Sequence, residues 1–127
     1  MDEKARWQVE TSHASGSRFK KFAKNHELEY ISLFANLERI QGILNGGNKL
    51  GSFQVGCFRS EGDGLYRIGQ TGVPSAKESR LYVFPEEETL TIYVLGIGTK
   101  ETQDNDINEA KKICHSIKAN NVNQTKN

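Results

Sequence analysis

Apolar and polar side chains alternate through Arg6-Trp7-Gln8-Val9-Glu10-Thr11, the period of a strand with one buried face, until SHASGS (12–17) breaks the pattern with small turn-forming residues. Ser17 is placed to cap a short helix carrying Phe19, Phe22 and Ala23. Leu28, Ile31, Leu33, Phe34, Leu37, Ile40, Ile43 and Leu44 then recur near helical spacing and predict a longer helix. Asn45-Gly46-Gly47 ends it, because asparagine or glycine past the last apolar residue accepts the left-handed conformation. These segments predict a strand followed by a helical hairpin with one apolar side.

From Ser52 the pattern changes to short runs of aromatic and β-branched residues separated by Gly, Asp and Pro. FQVGCFR (53–59), GLYRIGQ (64–70), SRLYVF (79–84) and LTIYVLGI (90–97) read as strands, with turns at EGDG, TGVPSAKE and PEEET. Connections this short favour antiparallel neighbours, since parallel strands need long crossovers. A last helix starts around Asp104 to Asp106, where Asp106 and Glu109 resemble a capping box, and Ile107, Ala110, Ile113, Cys114 and Ile117 form its apolar side. ANNVNQTKN (119–127) reads as a flexible tail. The prediction is one α+β domain over residues 1–127: a mostly antiparallel sheet backed by the N-terminal helical hairpin, with the helices, including the C-terminal one, on one sheet face.

Composition narrows the chemistry. The chain has 127 residues with 17 basic against 16 acidic, so its net charge of +1 gives no bulk attraction to a polyanion, and affinity for RNA would have to come from a local cluster. The first twenty residues contain no apolar signal-type core, and no stretch approaches eighteen apolar residues; a cytoplasmic protein with no membrane partner is expected. Cys57 and Cys114 have neither metal spacing nor a secreted disulfide pattern and are expected to stay reduced as packing residues. CxxC, HExxH, Walker and GxGxxG patterns are absent, so no metal site and no small-molecule cofactor is expected.

Charge on the strands is the informative exception. Alternation puts Leu65, Arg67 and Gly69 opposite in facing to Tyr66 and Ile68, and Arg80, Tyr82 and Phe84 opposite to Leu81 and Val83. If Leu81, Val83 and Ile68 meet the helices, Arg67 and Arg80 project from the open face. Lys100, just past the last strand, can reach the same face, and Lys77 can join its rim. Arginines and lysines beside a tyrosine suit a phosphodiester, because guanidinium forks bind phosphate oxygens and aromatic faces stack on bases. Tyr82 and Lys77 are accordingly the candidate RNA-binding residues.

The motif order adds a resemblance. A strand, a helical pair with FKKFAKN and LERIQGILNGG, then GLYRI, SRLYVF, LTIYVLGIGTKETQ and DINEAKK, resembles the RelE/HigB-type toxins of bacterial toxin–antitoxin pairs over about residues 6–118. The last third is its most specific part: an arginine-led strand, a hairpin, a hydrophobic strand, a lysine, a TQ-like bridge and a DIxxA helix. The resemblance implies a ribonuclease that cleaves messenger RNA in the A site of the ribosome's 30S subunit, without metal, and that a cognate antitoxin protein restrains. By position it carries catalytic roles onto Arg67, Arg80 and Lys100. It implies attack by the ribose 2′-hydroxyl on the adjacent phosphate, leaving a 5′-hydroxyl and a cyclic or 3′-phosphate end. Family members often carry a tyrosine or histidine at the last helix, where this chain has Ile107, with His115 deeper in the helix. The alternative expectation is therefore a non-catalytic binding protein on the same scaffold, either a ParE-like gyrase inhibitor or an inactive antitoxin-binding relic.

Overall fold

The computed structural model of the chain describes residues 6–74 and 77–125. Five strands, β1 (Gln8–Glu10), β2 (Phe58–Gly62), β3 (Leu65–Gly69), β4 (Ser79–Glu86) and β5 (Thr91–Thr99), form one sheet in the order β1-β5-β4-β3-β2. The pairings β2–β3, β3–β4 and β4–β5 are antiparallel and β1–β5 is parallel, so the sheet is mixed but mostly antiparallel. Three helices accompany it: α1 (Ser17–Asn25), α2 (Glu27–Asn45) and α3 (Gln103–Thr125). The α+β class and the helix–strand order follow the sequence pattern.

Helices α1 and α2 cover one sheet face. Phe19 and Phe22 from α1, and Leu33, Leu37, Ile40 and Leu44 from α2, pack with Trp7 against Ile68, Leu81, Val83, Ile92, Val94 and Ile97. Helix α2 stops where the sequence predicts: the Gly46 N–H donates to Gly42 O at 3.0 Å, and Gly47 takes φ +94°, the left-handed conformation that glycine adopts without steric cost. Polar side chains of the same helix hold β1, as the Trp7 N–H donates to Asn45 Oδ1 at 2.7 Å and Gln41 Nε2 donates to Trp7 O at 2.9 Å.

The C-terminal helix is not on that face. Ala110, Cys114 and Ile117 of α3 pack against Leu65, Tyr82, Phe84 and Leu95 on the opposite side, giving a helix–sheet–helix sandwich in place of helices on one face. The cause lies in the central strands. Every residue of β4 is buried, and it carries apolar side chains on both faces, Leu81 and Val83 on one and Tyr82 and Phe84 on the other, so each face needs a cover. A bulge strengthens the demand: Tyr82 pairs with Gly96 but Val83 with Val94, leaving Leu95 as an extra apolar residue on the second face.

Boundaries differ from the pattern in three further places. Strand β2 begins at Phe58, and residues 53–57 form a connection in which Phe53 stacks on Phe58 with ring centroids 6.0 Å apart. Asp106 is not a cap, because a 3-10 turn over Lys100–Thr102 leads directly into α3 at Gln103. Helix α3 also continues through Thr125, replacing the tail expected from residue 119; residues 126–127 lie outside the described residues, as do 1–5 and, in the expected TGVPSAKE turn, 75–76.

Asp106 instead forms a buried junction. Its carboxylate is paired with the Arg18 guanidinium and accepts from Thr102 Oγ1 at 2.6 Å, while Arg18 Nε donates to Ile97 O at 3.1 Å. Gly98 lies directly beneath: a Cβ there would land on Asp106 Oδ2 and sit 2.7 Å from Thr102 Oγ1. Gly98→Ala is expected to destabilise the protein by about 1–3 kcal/mol through overpacking, read as a lower urea midpoint with unchanged slope.

Candidate anion site at the end of the sheet

Antiparallel order brings the start of β2, the end of β3, the start of β4 and the end of β5 to one end of the sheet. There a cavity of about 680 Å³ is lined by Arg39, Arg59, Arg67 and Arg80, together with Cys57 and Glu78 among others. Register explains the grouping. Arg59 is opposite Arg67, and Gly69 is opposite Arg80, so Arg67 and Arg80 are diagonal neighbours on adjacent strands. Gly98 is opposite Arg80 on its other side, so the Arg80 side chain has a glycine on each flank.

Arg80 is the most constrained of the four. It is only 7% exposed; Nη2 contacts Glu78 Oε1 at 3.4 Å, and Nη1 has no hydrogen-bond partner among the described residues. A buried cation with an unmet donor is costly unless an anion completes its shell, so this guanidinium is the candidate anion contact of the cavity. Arg67 is half-buried, with Nε 3.3 Å from Glu61 Oε2.

Lys100 stands beside the cavity. Its Nζ is 3.7 Å from Glu78 Oε2, and its backbone N–H donates to Glu78 O at 2.9 Å, which fixes the two residues opposite each other just beyond the β4–β5 ladder. An adjoining hollow of about 440 Å³ is lined by Lys77, Glu78, Thr99, Lys100 and Glu101, so Glu78 is common to both spaces. Lys77 points outward to Glu101, at 3.3 Å, with both side chains exposed. Arg67 and Arg80 thus share the cavity, Lys100 is linked to it through Glu78, and Lys77 stays on the outer rim.

Tyr82 requires a correction. It is on the same face as Arg80, as alternation predicts, but it is 0% exposed beneath α3 and has no free ring face on which a base could stack. Its hydroxyl has no hydrogen-bond partner among the described residues, and burial first, then the Asp106 carboxylate, push its pKa up to about 12. His115 is exposed on α3. Both cysteines are free; Cys114 is core, whereas Cys57 lines the cavity, with burial pushing its thiol upward.

Arg39, Arg59 and Glu78 are additions to the sequence-derived site. Glu78 had a signal, since two residues before Arg80 on an extended strand is the same face. Arg59 needed the β2–β3 register, and Arg39 comes from the exposed side of α2, a juxtaposition only the tertiary structure reveals. No family model, curated protein or solved structure matches the chain. No helix among the described residues is long and apolar enough to cross a membrane, and none of their His, Cys, Asp and Glu side chains group as a metal site.

Tyr82→Phe is expected to leave stability at neutral pH unchanged within about 1 kcal/mol or slightly raised, because the lost hydroxyl is buried with no partner among the described residues. The sign of the pH effect follows from the raised pKa: the folded state holds the proton more tightly, so this contribution is complete below pH 10 and is lost as pH rises toward 12. Alkaline urea titrations should show this loss in the native protein and not in the variant.

Proposed function

We propose that the protein acts on single-stranded RNA as a RelE/HigB-type toxin, an endoribonuclease that inhibits translation by cutting messenger RNA on the ribosome and is restrained by a cognate antitoxin. The observation that carries this reading is the four-arginine cavity centred on buried Arg80 and its unpartnered Nη1. Net charge is nearly balanced, so four guanidinium groups around one concavity support a local anion site. Arg80 and Arg67 hold the scissile phosphate and neutralise the charge that develops on its oxygens; Arg59 and Arg39 take flanking phosphates. Lys100 serves the leaving-group side. The helix–sheet–helix arrangement and the 3-10 bridge after β5 are read as a RelE-like scaffold.

A second reading keeps the scaffold and the anion site but not the cutting: a binding protein of the ParE-like or antitoxin-bound relic type. It is favoured by the sealed Tyr82 and by the lack of a histidine or lysine among the described residues lining the arginine cavity.

Expression in a translating extract, with primer extension on a reporter message, separates the two. Codon-phased cuts that fall about 100–1,000-fold in Arg80→Ala are expected; intact message alongside inhibited DNA supercoiling would overturn the endonuclease reading. In RNA-binding assays, Arg59→Ala should weaken affinity alike for different sequences and reduce the slope of log affinity against log salt by about 0.7, the value for one phosphate contact on a single strand.

A further inference from the structure

Cleavage by the 2′-hydroxyl needs a group to take its proton, and the residues first singled out for the site are all cations or, in Tyr82, a sealed phenol. Arginine stays charged at working pH and accepts no proton. Among the described residues lining the arginine cavity, the titratable groups other than arginine are Cys57 and Glu78. Burial favours the protonated thiol of Cys57 and disqualifies it as a ready acceptor. Glu78 has the opposite character: its side chain is 59% exposed, with one carboxylate oxygen 3.4 Å from Arg80 Nη2 and the other 3.7 Å from Lys100 Nζ. It is therefore next to the phosphate-binding guanidinium and open to an incoming ribose.

Resting on the endoribonuclease reading above, we propose that Glu78 is the proton acceptor for the 2′-hydroxyl and that Lys100, its cross-strand partner, is the proton donor to the leaving oxygen. A phosphate seated on Arg80 enters between the two side chains and parts the ion pair. Glu78 takes the 2′-hydroxyl proton as the oxygen's electron pair forms the new O–P bond. The bond from phosphorus to the 5′-oxygen breaks, its electron pair leaves with that oxygen, and the oxygen takes a proton from Lys100 Nζ. The products are a 2′,3′-cyclic phosphate and a 5′-hydroxyl. Glu78 is left protonated and Lys100 neutral, and return of one proton across their restored contact regenerates both. The opposed register that joins the Lys100 N–H to Glu78 O keeps acceptor and donor on one face for this exchange.

The test uses the full chain with ribosomes programmed by a defined message. Glu78→Gln should slow cleavage by about 100-fold or more, the usual cost of losing a general base. The same variant should bind a message with a 2′-deoxy scissile nucleotide as tightly as the native protein or more tightly, since a negative charge beside Arg80 has gone. Glu78→Asp, which keeps the carboxylate, should cleave at an intermediate rate. Native-like cleavage by Glu78→Gln would overturn the assignment and leave the endonuclease reading intact, as would loss of deoxy-message binding in parallel with cleavage, which would make Glu78 only a support for Arg80. A native protein that binds message in an Arg80-dependent way without cutting it would overturn the endonuclease reading and this couple with it.

Discussion

The ion pair between buried Asp106 and half-exposed Arg18 ties together three elements, α1, β5 and α3, at one point. Its carboxylate, near the start of α3, is 3% exposed and receives the α1 guanidinium, which also reaches the last carbonyls of β5 through Ile97 O. Without the guanidinium this buried carboxylate would keep the Thr102 hydroxyl but lose its charge partner, so the pair favours the observed crossing of α1, β5 and α3. The short 3-10 turn at Lys100–Thr102 thus lies between two anchored ends, and Lys100 is presented from that bridge.

That junction also determines where the second sheet face stops being core. Helix α3 lies across Leu65, Tyr82, Phe84 and Leu95, and the strand positions beyond its cover carry Arg67 and Arg80. One strand, β4, thus passes from apolar core to cation site within two residues, Tyr82 to Arg80, and this explains both abnormalities seen there. The phenol keeps its proton to higher pH than usual, and the guanidinium is buried with one nitrogen unanswered among the described residues. Burial that serves packing at Tyr82 also takes most of the Arg80 guanidinium out of water, where its electrostatic interactions are stronger.

The helix–strand order, the end of α2 at Asn45 and the facing of Arg67 and Arg80 were legible in the sequence because each depends on local periodicity or local turn chemistry. The side taken by α3 was not. Its apolar residues specify that it must pack, but the choice of face depends on the Leu95 bulge and on the two-sided apolarity of β4, which emerge only when strands are paired. The same limit applies to Tyr82, whose alternation was read properly while its cover was not. Glu78 shows a different kind of omission: charge alternation points to the cations and passes over the carboxylate that lines their cavity, although an acid next to Lys77 and two residues from Arg80 is visible in the sequence itself.

The two glycines beside Arg80 are not equivalent, and the difference gives the site a direction. Beyond Gly98 the space is filled by Asp106 and Thr102, whereas a Cβ at Gly69 would meet nothing nearer than Cys57 O at 3.9 Å. The guanidinium is walled toward β5 and open toward β3. The approach to the guanidinium is therefore one-sided, opening over Gly69 toward Arg67 and Arg59, an asymmetry set by a missing methyl group.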